Sequence, residues 1–403
     1  MKFVFHILPA YPATPEERER LAPIAHRTDK TQQMLDEMLD ITQHCEDIGF
    51  DAVTFSEHHF YTEGCEAGAT PTPHLIRLLL NTKRIKIGPL GFVLPTWDPI
   101  RLALDVAWAD QMSKGRAICG LARGVFPRWV NVLGQHYGVE LGSAGAGSPA
   151  DEHNREVFEE LFQVIKLAWK DEPFSFKGKY YQVPFPAEGH FWAPHEATHR
   201  YGAPGEMDGQ FLRKLSAVPK PYQKPHPEIW QAFTASERTI RWDATHGVRP
   251  MVFTPFPDAA KKVFQAYVEE AAKSGECLKL GQRMGSCQFI YIDKDRSEAH
   301  RLMHSGSYFV FQNFHCKVDK NIPPDFESLL NLKMMVAGNV DDVRRRIAEL
   351  QETLNPEYVL WLGDQGYVTR DEMKRELELF ATKVMPEFQE RRTSAPSEGV
   401  AAH

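Results

Sequence analysis

Long apolar runs are missing from this 403-residue chain. No stretch reaches the roughly 18 apolar residues of a membrane-spanning helix, so none is expected. Cysteine is sparse: Cys45, Cys65, Cys119, Cys277, Cys287 and Cys316 are scattered, with no Cys-x-x-Cys pair and no Cys/His cluster at zinc spacing. A disulfide- or metal-stapled fold is thereby excluded, and reduced thiols in a cytoplasmic protein are expected. The opening residues, MKFVFHILPAYP, meet proline too soon for a signal peptide. The formal charge is −7 and no basic run is long enough for a nucleic-acid footprint. Neither G-x-x-x-x-G-K-[ST] nor G-x-G-x-x-G after the first strand occurs, so P-loop and Rossmann sites lack support.

What is present is ordinary globular composition, 42% hydrophobic and 25% charged, which can bury a large core. Short β-rich runs alternate with amphipathic stretches from end to end, the pattern of repeated βα units on a parallel sheet. The spacing predicts strands over 3–8, 52–55, 85–93, 116–120, 228–231, 249–253, 287–292 and 358–362. Helices are predicted over 30–48, 73–82, 99–112, 151–169, 236–245, 257–273, 340–350 and 370–384. Eight strands with eight crossovers give an α/β (β/α)₈ TIM barrel, with insertions in its βα loops. Residues 1–390 are expected to form this single domain. Two segments break the rhythm, 171–227 and 293–337, and are expected to be irregular insertions, the first lying over one end of the barrel. The 138–150 stretch reads as a flexible loop, and 391–403 as a disordered tail.

In such barrels the chemistry sits in loops after the strands, and three of these loops are chemically dense. Ser56-Glu57-His58-His59-Phe60 follows the second strand. Its imidazoles suit acid–base work, metal ligation or plain packing, and adjacent residues leaving a strand point opposite ways, so one can face a pocket while the other packs beneath. Arg123-Gly124 follows the fourth strand: a guanidinium there can grip phosphate or form a surface ion pair, and glycine permits close backbone approach. Thr234-Ala235-Ser236-Glu237-Arg238-Thr239 opens a helix, where hydroxyls and amides form either an anion site or a simple serine cap. The second and third segments could reach one phosphate.

These residues resemble a family. Glu57-His58-His59-Phe60, Val93-Leu94-Pro95-Thr96 with Pro99, Asp110-Gln111-Met112-Ser113-Lys114-Gly115-Arg116 and Arg123-Gly124 are similar to the bacterial luciferase-like flavin-dependent monooxygenases. So are Ala235-Ser236 with Thr239 and Trp242, and the ending Met385-Pro386-Glu387-Phe388. The resemblance spans residues 1–170 and 228–390. It implies a two-component enzyme using reduced FMN and O2, with FMNH2 supplied by a separate NAD(P)H:flavin reductase. It implies His58 as the active-site histidine, and Arg123, Ser236 and Thr239, helped by the Val125 amide, on the flavin phosphate, with Gly124 and Ala235 adjoining. Leu90-Gly91 matches the family's non-proline cis peptide beneath the isoalloxazine. A homodimer through the second and third helices is also implied.

Departures occur at Ala122, where the luciferase α subunit has a reactive cysteine, and at Trp97-Asp98, where a small residue and histidine are usual. Light emission from an aldehyde is therefore not implied. Aromatic residues of the insertions (Phe185, Phe191, Trp192, Tyr201 and Phe211; Tyr308, Phe309, Phe311 and Phe314) are expected to cover the mouth, keep it dry and suit a small cyclic or apolar substrate. A deazaflavin-dependent oxidoreductase of the same fold and a catalytically silent flavin-binding partner subunit are the alternatives. No metal, nucleic acid or membrane partner is expected.

Overall fold

In the computed structural model the βα rhythm becomes a ring of parallel strands returned by outer helices. Residues 1–65, 67–141, 147–316, 323, 325–332 and 334–389 are described. The 391–403 tail, the centre of the 138–150 loop and the Phe314 side chain lie outside that description. The strands are β1 Lys2–Ile7, β2 Ala52–Phe55, β3 Lys86–Pro89, β4 Phe92–Val93, β5 Cys119–Ala122, β6 Ile229–Thr234, β7 Arg249–Val252, β8 Gly285–Ile292, β9 Met335–Gly338 and β10 Tyr358–Leu362. Their spatial order is β3-β2-β1-β10-β8-β7-β6-β5-β4, every pairing parallel, with β9 added beside β8. β3 and β4 are two halves of one stave. The Ile87 amide donates to Arg116 and the Ile118 amide to Ile87, which brings the sheet's ends together. This is the eight-stave barrel. Among the described residues no helix is long and apolar enough to cross a membrane.

The seam between β3–β4 and β5 is too tight for side chains. A Cβ at Gly120 would collide with the Pro89 carbonyl oxygen, and one at Gly91 would stand 2.6 Å from the Leu121 nitrogen. Gly120→Ala is expected to cost about 1–3 kcal/mol, the range for overpacking. Thermal melting checks this: an unchanged midpoint would mean that the seam yields without strain. At the opposite end, Glu228, Arg249, Glu357 and Tyr358 are tied together by ion pairs and a hydrogen bond.

Both insertions differ from expectation. Residues 293–337 hold regular elements: helices Arg296–Met303 and Phe326–Leu330, and β9, which pairs with residues 289–292 of β8 beyond the reach of β7. Four residues are too few to register a period in the sequence. Residues 171–227 contain two small antiparallel sheets, and their side-chain anchors run to the barrel's outer helices. Glu160 accepts the Lys179, Tyr180 and Tyr181 amides, the Tyr181 hydroxyl donates to Asp98, and Gln223 donates to Asp110. Polar anchors thus hold this segment along the outer flank of helices Pro99–Ser113 and Pro149–Ala168.

Candidate functional site

The C-terminal ends of β2, β4, β5 and β6 bring the singled-out residues to one face. After β5, Gly124 takes φ +85°, where a Cβ would press on Val93 and Val130. That turn aims Arg123 at the start of helix Pro149–Ala168. Its Nη1 donates to Asp151 Oδ1 at 2.8 Å, and its carbonyl accepts from Asn154. After β6, Ser236 occupies the N-cap of helix Glu237–His246, but its side chain makes no capping bond. The simple-cap reading therefore fails, and the first turn keeps amides to offer. Thr239, one turn on, is buried and accepts from Arg155 Nη1 at 3.4 Å. Ala235 and Val125 are exposed on the rim.

Arg155 was not anticipated. It is 6% exposed, and its Nε has no hydrogen-bond partner among the described residues. Burial, then the nearby Arg123 and Arg238 guanidinium groups, hold its pKa below the usual arginine range. Three cations therefore converge between two helix N-termini. Asp151 answers part of this charge: burial raises its carboxyl, but the Gly147 amide and Arg123 outweigh that and leave it lowered. A buried N–H without an acceptor and an uncapped helix start can take an anion, and a phosphate monoester fits both. The clue in the sequence was position: Arg155 lies three and seven residues before Phe158 and Phe162, on the helix's apolar face.

The paired histidines both pack on Trp129, but their other partners differ. His59 Nε2 donates to Glu57 Oε1 at 2.9 Å. His58 instead lies edge-on among Tyr61, Phe126 and Trp129, with ring centroids 6.1, 5.5 and 6.3 Å away. Glu57, only 3% exposed, also accepts the Val93 amide at 2.7 Å and the Trp97 indole N–H at 3.1 Å. Between β3 and β4 the Leu90–Gly91 peptide is cis, and the Leu90 amide donates to Phe55 at the end of β2. The His58 segment and the cis segment are therefore neighbours.

A family model described as luciferase-like monooxygenase matches residues 20–354. The chain belongs to the luciferase-like monooxygenases. It is similar to 3,6-diketocamphane 1,6-monooxygenase of Pseudomonas putida, 26% identical over 322 residues that cover 76% of this chain and 80% of that one. The solved oxygenating constituent of 3,6-diketocamphane monooxygenase from Pseudomonas putida, in complex with FMN, superposes with a TM-score of 0.71 at 20% identity, covering 97% and 99%. Monooxygenase RslO1 from Streptomyces bottropensis gives 0.72 at 18%, covering 96% and 100%. At such identities the superpositions show the fold.

In this luciferase-like monooxygenase the upper barrel interior is aromatic. His6, Phe233, Phe253, Phe289 and Phe311 form a chain of ring contacts with centroids 5.1–6.1 Å apart. Phe311 comes from the second insertion. The Ser307 amide donates to the Tyr291 hydroxyl at 2.9 Å, so that insertion is fastened to the end of β8. Of the two expected covers, this one reaches the mouth.

Proposed function

We propose that the chain binds reduced FMN, delivered by a separate NAD(P)H:flavin reductase, and uses O2 to oxygenate a small cyclic or apolar organic compound. The buried Arg155, bonded to Thr239 one turn after the uncapped Ser236 and with Arg123 nearby, carries this reading, because these groups together suit one phosphate at the barrel mouth. Arg123, Arg155, Ser236 and Thr239 hold the phosphate, and the Gly124, Val125 and Ala235 backbones border it. Leu90 and Gly91, next to the end of β2 that leads into His58, would border the ring of the cofactor. Bound reduced flavin supplies the electrons that activate oxygen. His58 holds or moves a proton at its imidazole beside that ring, and the aromatic wall excludes water. Phe233, Phe253, Phe289 and Phe311 suit an apolar substrate, and Tyr291 keeps the segment bearing Phe311 in place.

The reading is tested by supplying a flavin reductase, NADH and candidate cyclic ketones, with oxygen uptake and product mass as readouts. One added oxygen atom with FMN is expected. Anaerobic hydride transfer from a reduced deazaflavin, without oxygen uptake, would replace this reading with the deazaflavin one. Flavin binding with no turnover across a broad screen would favour a silent subunit.

Exposed Leu80, Trp108 and Met112 on the adjoining helices Pro71–Leu80 and Pro99–Ser113 support a homodimer through that face. Trp108→Glu is expected to convert the dimer to monomer in light-scattering measurements. An unchanged mass would place the contact elsewhere.

A further inference from the structure

Glu57 closes a short loop around the candidate catalytic histidine. His58 stands between Glu57 and His59 in the chain, and those flanking side chains bond to each other at 2.9 Å. The same carboxylate reaches across to the next stave, accepting the Val93 amide at 2.7 Å and the Trp97 indole N–H at 3.1 and 3.2 Å. Val93 is two residues beyond the cis Leu90–Gly91 peptide. An apolar side chain could fill the gap between β2 and β4 without the cost of burying a charge. A carboxylate that gathers three N–H groups fixes direction as well as distance, since charge-assisted bonds are short and oriented.

We propose that Glu57 is a positioning residue for the reaction: through one buried carboxylate it sets the placement of the His58 imidazole relative to the Leu90–Gly91 platform. This rests on the flavin reading above. Glu57 touches neither oxygen nor substrate, and it acts through His58 and the platform. Glutamine in its place keeps one acceptor oxygen for Val93 and Trp97 and turns an amide N–H toward His59, whose ring must then accept. The clamp persists, but its orientation changes. Trp97→Phe keeps the ring against Phe92, whose centroid is 5.3 Å away, and removes only the indole donor.

The test uses the full chain titrated with oxidised FMN, reading the affinity and the visible circular dichroism of the bound flavin. Coupled turnover with a reductase then gives the ratio of product to hydrogen peroxide. Glu57→Gln is expected to leave FMN affinity within about threefold, because the phosphate receptor is untouched. It should alter the dichroism of bound flavin and lower product yield about tenfold to a hundredfold, as a displacement near 1 Å at reacting groups does. Trp97→Phe should shift both readouts in the same direction by less, and the double variant should be no worse than Glu57→Gln alone. Unchanged dichroism and yield in both single variants, or effects that add in the double variant, would overturn the inference. If Glu57→Gln does not fold, the dichroism and yield of Trp97→Phe decide. A wild-type chain that binds no flavin removes the flavin reading and this inference together. Normal binding with silent variants removes the inference alone.

Discussion

Alanine at Arg155 is expected to weaken FMN binding about tenfold to a hundredfold, the roughly 1.5–3 kcal/mol of a hydrogen bond to a charged group. The argument begins with burial. A guanidinium 6% exposed, with Nε lacking an acceptor among the described residues and two further arginines close by, gains more from a dianion than a surface arginine can. Arg123→Ala belongs in the same range, softened by the exchange of partners it must make, since Asp151 already holds its Nη1. Arg238→Ala should matter little. Its side chain is 60% exposed and paired with Glu152, where solvent screening discounts the charge. Lysine should not rescue position 155, because a point charge cannot replace a planar fork between Thr239 and the ligand. Isothermal titration of each variant checks the ranking. Equal affinities for wild type, Arg123→Ala and Arg155→Ala would put the phosphate somewhere else.

His58→Ala should separate binding from chemistry. Flavin affinity is expected to stay within about threefold of wild type, because no phosphate contact is lost. Product formation should fall by roughly 10²–10⁴, the scale of a positioned acid or base. Hydrogen peroxide released per NADH consumed should rise at the same time. Both rings pack against aromatic neighbours, and His59 is bonded to Glu57. Comparing oxygen uptake with product by mass measures the partition. A variant with wild-type yield would show that the imidazole only packs.

The barrel was legible because its periodicity is strong where helices cover a parallel sheet, as in the alternation from 30–48 through 52–55 to 73–82. Leu90–Gly91 could be located from the family resemblance, and the structure has the peptide cis there. Arg123, Ser236 and Thr239 were named from local motifs, and each lies beside a helix N-terminus. What escaped was non-local. Arg155 reaches Thr239 across 84 positions of sequence, and Glu57 reaches Val93 across 36. β9 is a four-residue strand that exists because β8 outruns β7 and leaves its edge unpaired. The flank position of residues 171–227 is set by carboxylates on distant helices, Asp98, Asp110 and Glu160, which composition alone does not reveal.

The most direct measurement compares reduced FMN with reduced riboflavin, anaerobically, on wild type and Arg155→Ala. The two ligands share the ring and differ in the phosphate. Wild type is expected to prefer FMN by about a hundredfold or more, the order of two bonds to charged groups, and Arg155→Ala to reduce that preference by about tenfold or more. Equal affinity of wild type for both ligands would contradict the account at its root.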